Sequence, residues 1–464
     1  MQFSLAKEDI TPDKPIVMHG FGDRTRKSEG VLDPLYMKTA LLVANRPLLI
    51  VTIDALGSDH SFIVGIKEGL RERFGLKHEE VLINFSHTHH SFFLTGVDPA
   101  LRRGGYSIAQ NRWAEEESEL DYTEDEALFH TLRDTLLRMV SDCYDRMQEG
   151  ELWIGCAESD FAVSRRRPNA QGGVDWAPYF EGELDRDLFV LKLVDRAGAV
   201  QGILYSYGCH TTAMSSNNYL LSNDFAGYTS EILEMNHPGA VAMFLQGCAG
   251  ELKPRMNTTE HGFTGSDSRE IRQVGTVLAE EVGELMHSGQ FRKVDCHFQA
   301  DLRSPLLYTE RFAEAHFRAI IDDPQNGTFE ASAGMRSIQA IKEGTIKDRI
   351  PYYISIWQLD DKTRLISLEG EVSTEYSLLI KRLFGRGKDG MIVLGYTNGV
   401  FSYVPTRKML REGGYEAECN YFFGLHGNFV PEIEDIIIGQ LAQALSEDYR
   451  GQVSSNTLSQ TYNR

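Results

Sequence analysis

The chain has 464 residues, 42% of them hydrophobic and 25% charged, an ordinary globular balance with enough length for a large core. A formal net charge of −20 and a pI near 5.2 argue against a general binder of nucleic acid or of an anionic membrane, since both partners are themselves negative. None of the six cysteines stands in a CxxC pair, so neither a disulfide framework nor a cysteine-rich zinc site is suggested, and reduced, mostly buried thiols are the expectation.

The opening MQFSLAKEDITPDKP lacks a charged segment followed by an apolar one, so it does not read as a signal peptide, and a cytoplasmic location is the default expectation. Residues 37–43 and 47–53 read as a strand pair around an Asn-Arg-Pro turn. The apolar stretch 39–56 is broken by Asn45, Arg46, Pro47 and Asp54, and no run reaches membrane-spanning length. Residues 61–74 have helical spacing, with Ile63, Ile66 and Leu70 on one face. A short strand follows at 81–85. Residues 101–125 are rich in Glu and Asp and read as an exposed insertion or lid. A long amphipathic helix is expected over 126–147. The segment 164–183, rich in Arg, Pro and Gly, reads as loop. Strands at 188–194, 202–207 and 240–245 alternate with helices at 228–235 and 273–286.

The texture changes near residue 291. Residues 296–302, 352–359 and 363–368 alternate like strands, with a helix near 312–321 and an apolar strand entering a polar turn over 391–403. The expected fold class is α/β, a mixed or largely parallel sheet flanked by helices (1–290), with a second α+β lobe (291–450) completing a metal site and a polar tail (451–464). There is no internal repeat.

Three strand ends carry chemistry. LINFSHTHHS ends an apolar strand in His87 and His89, which face one way along an extended chain and suit zinc as neutral imidazoles. GILYSYGCH ends a second strand in His210. A third strand runs into Glu369-Gly370-Glu371, where Glu371 would add an anionic ligand to two histidines and leave room for water. In α/β sheets, sites gather beyond the carboxyl ends of strands. No GxSxG, HExxH or GxxxxGK[ST] segment occurs, so those rival hydrolase mechanisms have no anchor.

From Phe21-Gly22 to about Asn428, the sequence resembles the catalytic domain of the neutral/alkaline non-lysosomal ceramidases, as a bacterial relative rather than a true ceramidase. SHTHHS is similar to the family's HTHSG segment, and CHTTAM with LLSNDFAGYTSEILE to its HPT…LISGDNKGY segment. FLQGCAGELKPR is similar to GDVSPN or GDINPR. EGEVST is similar to PGEF(T/S)T, and GYTNGVFSYVPT with GGYEAE to NDYxGYVxT…YEG. The resemblance implies zinc held by His87, His210, Glu371 and Tyr403, with His89 beside the metal and Tyr415 as a transition-state hydrogen-bond donor. It also implies a pocket arginine, for which Arg165 is the first candidate and Arg166 and Arg167 remain open. Lys253 stands at the family's serine position, Phe92-Phe93-Leu94 replace the residues after HTHS, and the family's C-terminal β-sandwich has no counterpart.

These features lead to a zinc-dependent hydrolase that cleaves an amide or ester bond of a small, polar or carbohydrate-like substrate rather than ceramide. Lys253 and the Arg165–Arg167 cluster are candidates for binding an anionic or polyhydroxylated group. The alternatives are a metal-dependent lyase or isomerase with Lys253 as base, and a non-catalytic binding relative. No nucleic-acid partner is expected, and the sequence leaves a homo-oligomer open.

Overall fold

The computed structural model describes residues 1–22, 24, 26–97, 123–385 and 390–446. The acidic insertion expected over 101–125 lies outside the described residues except for its last three, which begin the helix Thr123–Asp145. The polar tail lies outside them altogether.

A nine-stranded sheet forms the centre. Its order is Val241–Gln246, Val200–Tyr207, Asp187–Asp195, Gln148–Glu158, Gln2–Asp9, Tyr36–Val43, Pro47–Ile53, Val81–Phe85, with Arg292–Lys293 also paired to Gln148–Glu158. Alternate residues face opposite ways, and both faces are buried. Leu49, Val51, Ile83 and Phe85 join one apolar cluster with Ile63, Leu70, Leu136, Phe225 and Leu278 from the covering helices. Leu48, Ile50 and Leu82 join another with Trp357, Leu365, Ile392 and Leu394. That explains why these strands read as near-continuous apolar runs rather than as alternating ones.

The sheet is mixed, the first of the two arrangements expected from the sequence. Only the two edge pairs, Pro47–Ile53 with Val81–Phe85 and Val200–Tyr207 with Val241–Gln246, are parallel. Each is bridged by a helix, His60–Phe74 at one edge and Asp224–Asn236 at the other. The interior strands run antiparallel because short connections join several of them, such as the turn between Val43 and Pro47.

A second sheet, ordered Gln299–Arg303, Ile354–Gln358, Arg364–Leu368, Met391–Leu394, packs on the face opposite the helices. The segment 164–183 is not loop. Ala162–Pro168 and Val174–Tyr179 form a hairpin, and Leu252–Pro254 pairs on its other side. An arginine-rich strand is stable here because Arg165 and Arg166 both reach Glu416, at 2.7 Å each. Among the described residues, no helix is long and apolar enough to cross a membrane. All six cysteines are free thiols.

Candidate active site

The two edges of the central sheet are tied together at their carboxyl ends. The Gln246 N–H donates to Asn84 Oδ1 (2.8 Å), and Asn84 Nδ2 donates to the Gly395 carbonyl (2.9 Å). One buried amide therefore joins both edge strands and the turn after Met391–Leu394. The histidines that follow these strands are brought together as a result.

His87 lies two residues past Val81–Phe85 with a φ of +60°, a conformation that a non-glycine residue holds only when its surroundings impose it. Its Nδ1 is 2.6 Å from the Leu56 carbonyl, so Nδ1 carries the proton and Nε2 presents a lone pair. His210 is arranged alike, with Nδ1 donating to the Ala249 carbonyl at 2.9 Å. Glu371 enters from the other side. The pair Glu371–Val372 lies parallel to Tyr403–Val404, with Glu371 opposite Tyr403. One carboxylate oxygen of Glu371 is 3.3 Å from His87 Nε2 and 3.1 Å from His210 Nε2.

Three acceptors thus face one another with no proton between them. His210 Nε2 and Glu371 Oε2 are buried without a hydrogen-bond partner, an arrangement that is costly unless a cation fills it. Tetrahedral zinc ligands at about 2.0–2.1 Å from the ion stand about 3.3 Å apart, and the observed separations match. The donor set, neutral nitrogens with one carboxylate, suits zinc. Burial lowers the His210 pKa to about 4, which keeps it neutral at pH 7. Burial works against the Glu371 charge, a cost that a cation held between the carboxylate and the two imidazoles would offset.

His89 completes a group of three histidines whose nitrogens lie within 4.8 Å of one another. Its Nε2 is 3.2 Å from His87 Nε2. Its ring is packed beneath Gly20, where an added Cβ would lie 2.4 Å from Nδ1, and against the edge of Phe21. Burial holds its pKa well below the ordinary value. His90 turns away, with Nε2 facing the Ser215 carbonyl at 3.1 Å.

The Tyr403 ring stacks on His210 (centroids 6.2 Å apart, planes at 10°), and its hydroxyl accepts from Arg165 Nη2 at 3.2 Å. Burial and then the Glu371 charge hold this phenol protonated. Of the three arginines left open, Arg165 is the one whose guanidinium meets Tyr403. It also lies 4.1 Å from the Trp176 ring and donates to Glu416 and to the Gly250 carbonyl. Arg166 is spent on Glu416 and Glu412, and Arg167 is half-buried with no part in this contact. Tyr415, 40% exposed, stands edge-on to Tyr403 and Trp176. Lys253 Nζ donates to Thr212 Oγ1 at 3.1 Å, and burial, then the Arg165 charge, lowers its pKa to about 8.

Sequence reasoning missed four participants. Tyr396, at a φ of +49°, packs its ring 4.5 Å from His87 and sets its hydroxyl 3.3 Å from His210 Nδ1. Arg24 donates to the His89 and His19 carbonyls and fixes the loop above His89. Trp176 and Glu416 hold Arg165. Only Glu416, beside Tyr415 in GGYEAE, carried a sequence signal, as an acid near a motif with a spare arginine. A separate groove of about 590 Å³ beside Gln148–Glu158 shares no residue with this centre. Its Glu149 and Glu151 are already paired with Arg196 and Lys293.

Glu416 is the keystone of the arginine pair. Glu416→Ala strips the carboxylate from two buried guanidinium groups and is expected to cost about 3–5 kcal/mol in urea unfolding. A loss below about 1 kcal/mol, the size typical of a surface pair, would mean that this ion pair is not intact in solution.

The fold and this centre define a mixed-sheet α/β protein with a buried cluster of histidines and one carboxylate able to hold a cation. The chain belongs to the neutral/alkaline non-lysosomal ceramidase family, whose N-terminal model matches residues 2–273. That span holds His87, His89, Arg165, His210 and Lys253, and ends before Glu371, Tyr403 and Tyr415. The neutral ceramidase of Pseudomonas aeruginosa is 25% identical over 323 residues, covering 63% of this chain and 44% of that protein. Neutral ceramidase A of Dictyostelium discoideum is 24% identical over 116 residues, covering 23% and 16%. The chain thus spans less than half the length of the curated relatives it matches. The crystal structure of the Pseudomonas aeruginosa neutral ceramidase superposes with a TM-score of 0.69 at 20% identity, covering 93% of this chain and 72% of that one. A ceramidase complexed with C2 gives 0.67 at 19% identity, covering 93% and 73%. These superpositions establish the shared fold.

Proposed function

We propose that the protein is a zinc-dependent hydrolase that splits an amide or ester bond with water, acting on a small, polar or carbohydrate-like substrate. The observation that carries this reading is that one buried oxygen of Glu371 lies 3.3 Å from His87 Nε2 and 3.1 Å from His210 Nε2, both imidazoles turning Nδ1 to a backbone carbonyl. His87, His210, Glu371 and Tyr403 would hold the ion. Bound there, zinc supplies Lewis acidity, polarising a carbonyl and lowering the pKa of water toward about 7.

The remaining work falls to the chain. His89, neutral at pH 7, is suited to take the proton of the attacking water at Nε2 and return it to the leaving nitrogen or oxygen. Water adds to the carbonyl carbon, the bond to the leaving atom breaks, and an acid and an amine or alcohol result. The exposed Tyr415 hydroxyl is suited to donate to the developing oxyanion. Arg165 positions Tyr403 through its hydroxyl.

One observation favours a second reading. The Lys253 amine, lowered to about 8, is a competent base for an elimination. Turnover of an amide and ester panel in heavy-oxygen water separates the two. Hydrolysis leaves one solvent oxygen in the acid product. A product with a new double bond and no solvent oxygen would replace the hydrolase reading with a lyase.

A further inference from the structure

Lys253 lies on Leu252–Pro254, directly across from Val163 on the strand Ala162–Pro168. Cross-strand partners project to the same face, and Val163 shares its face with Arg165 two residues on. Lys253 and Arg165 therefore stand side by side on the face turned to the histidines. The strand is fixed there because the His210 N–H donates to the Leu252 carbonyl at 3.1 Å.

The cations of this face differ in one respect. Arg165 has Glu416, and Arg166 has Glu416 and Glu412. Among the described residues, Lys253 forms no ion pair. Asp224 is the acid that a structural role would require, but its oxygens already accept N–H groups from Met214 (3.0 Å) and Phe225 (2.7 Å), with Ala213 at 3.3 Å. Lys253 remains partly open to solvent. Its ammonium has three protons, and one goes to Thr212 Oγ1. Having accepted that bond, the Thr212 hydroxyl still has its own proton to give, and it stands two residues from His210. Two donors, one of them charged, thus stand 3.1 Å apart, with Thr212 two residues from His210.

We propose that Lys253 and Thr212 form a subsite for a carboxylate carried by the substrate. The subsite rests on the hydrolase reading in taking its ligand to be a substrate. Its chemistry is that of a charge-assisted hydrogen bond from nitrogen backed by a hydroxyl donor. The substrate class is then an amide or ester with a free acid in one of its two halves.

The test uses the zinc-loaded protein and three probes, N-acetylglycine, N-acetyl-β-alanine and N-acetyl-γ-aminobutyrate, each beside its terminal carboxamide, with binding read by calorimetry. At least one acid is expected to bind about tenfold or more tightly than its carboxamide, as a charge-assisted contact in a desolvated cleft requires. Lys253→Met is expected to erase that preference and Lys253→Arg to keep it, with zinc content unchanged in both. An acid drawn to the zinc itself would keep its advantage in Lys253→Met. That outcome, or no preference at any length, overturns the proposal. Acetate release is measured in parallel. A preserved Lys253-dependent preference without turnover supports the subsite and counts against the hydrolase reading instead.

Discussion

His87→Ala is expected to lose both zinc and turnover. The His87 imidazole is aimed by its hydrogen bond to Leu56 and stands within 3.3 Å of Glu371 and His89 at once. Its removal leaves His210, Glu371 and Tyr403, a set that no longer closes around an ion. Loss of an outer partner of a ligand alone typically costs about 10–100-fold in metal affinity, and loss of the ligand itself exceeds that. Zinc per chain after dialysis, measured by elemental analysis, is expected to fall from one to near zero. A variant that kept stoichiometric zinc would remove His87 from the proposed ligand set. The same analysis on His210→Ala is expected to agree, since the two imidazoles share Glu371 Oε2.

His89→Ala is expected to behave differently. It should retain zinc and lose turnover by about 10²–10⁴-fold, the usual worth of a positioned acid–base group. The geometry makes this the sharper of the two tests. The 3.2 Å between His89 Nε2 and His87 Nε2 also fits the spacing of two ligands of one ion. Zinc content therefore decides between the roles. If His89→Ala strips the metal, His89 is a ligand, and the proton transfer must be assigned to another group. Gly20→Ala adds a check, because a Cβ at Gly20, itself strained at a φ of +102°, would lie 2.4 Å from His89 Nδ1 and press on that ring first.

Much of this centre was legible in the sequence because it is built from strand ends. Val81–Phe85 and Val200–Tyr207 are short and apolar, and each is followed within three residues by a histidine, although the left-handed turn at His87 that sets its direction was not legible. Glu371 was legible from its place shortly after the apolar strand Arg364–Leu368. The arginine hairpin was not. A run of Arg, Pro and Gly carries loop propensity, and only Glu416, some 250 positions away, makes it a strand. Tyr396 was hidden too, because its place depends on a left-handed turn that the sequence GYTNG permits but does not require. The N-terminal strand Gln2–Asp9 was missed because its polar residues mask the apolar alternation. Lys7 there finds its partner in Glu234, far along the chain.

The central claim is that one zinc ion is held by His87, His210 and Glu371. The most direct measurement is anomalous diffraction at the zinc edge from crystals grown with equimolar zinc. The account predicts one strong peak per chain, about 2.0–2.2 Å from His87 Nε2, His210 Nε2 and a Glu371 oxygen. A zinc peak elsewhere in the chain, or His87 and His210 more than roughly 8 Å apart so that no single ion can reach both, would contradict it.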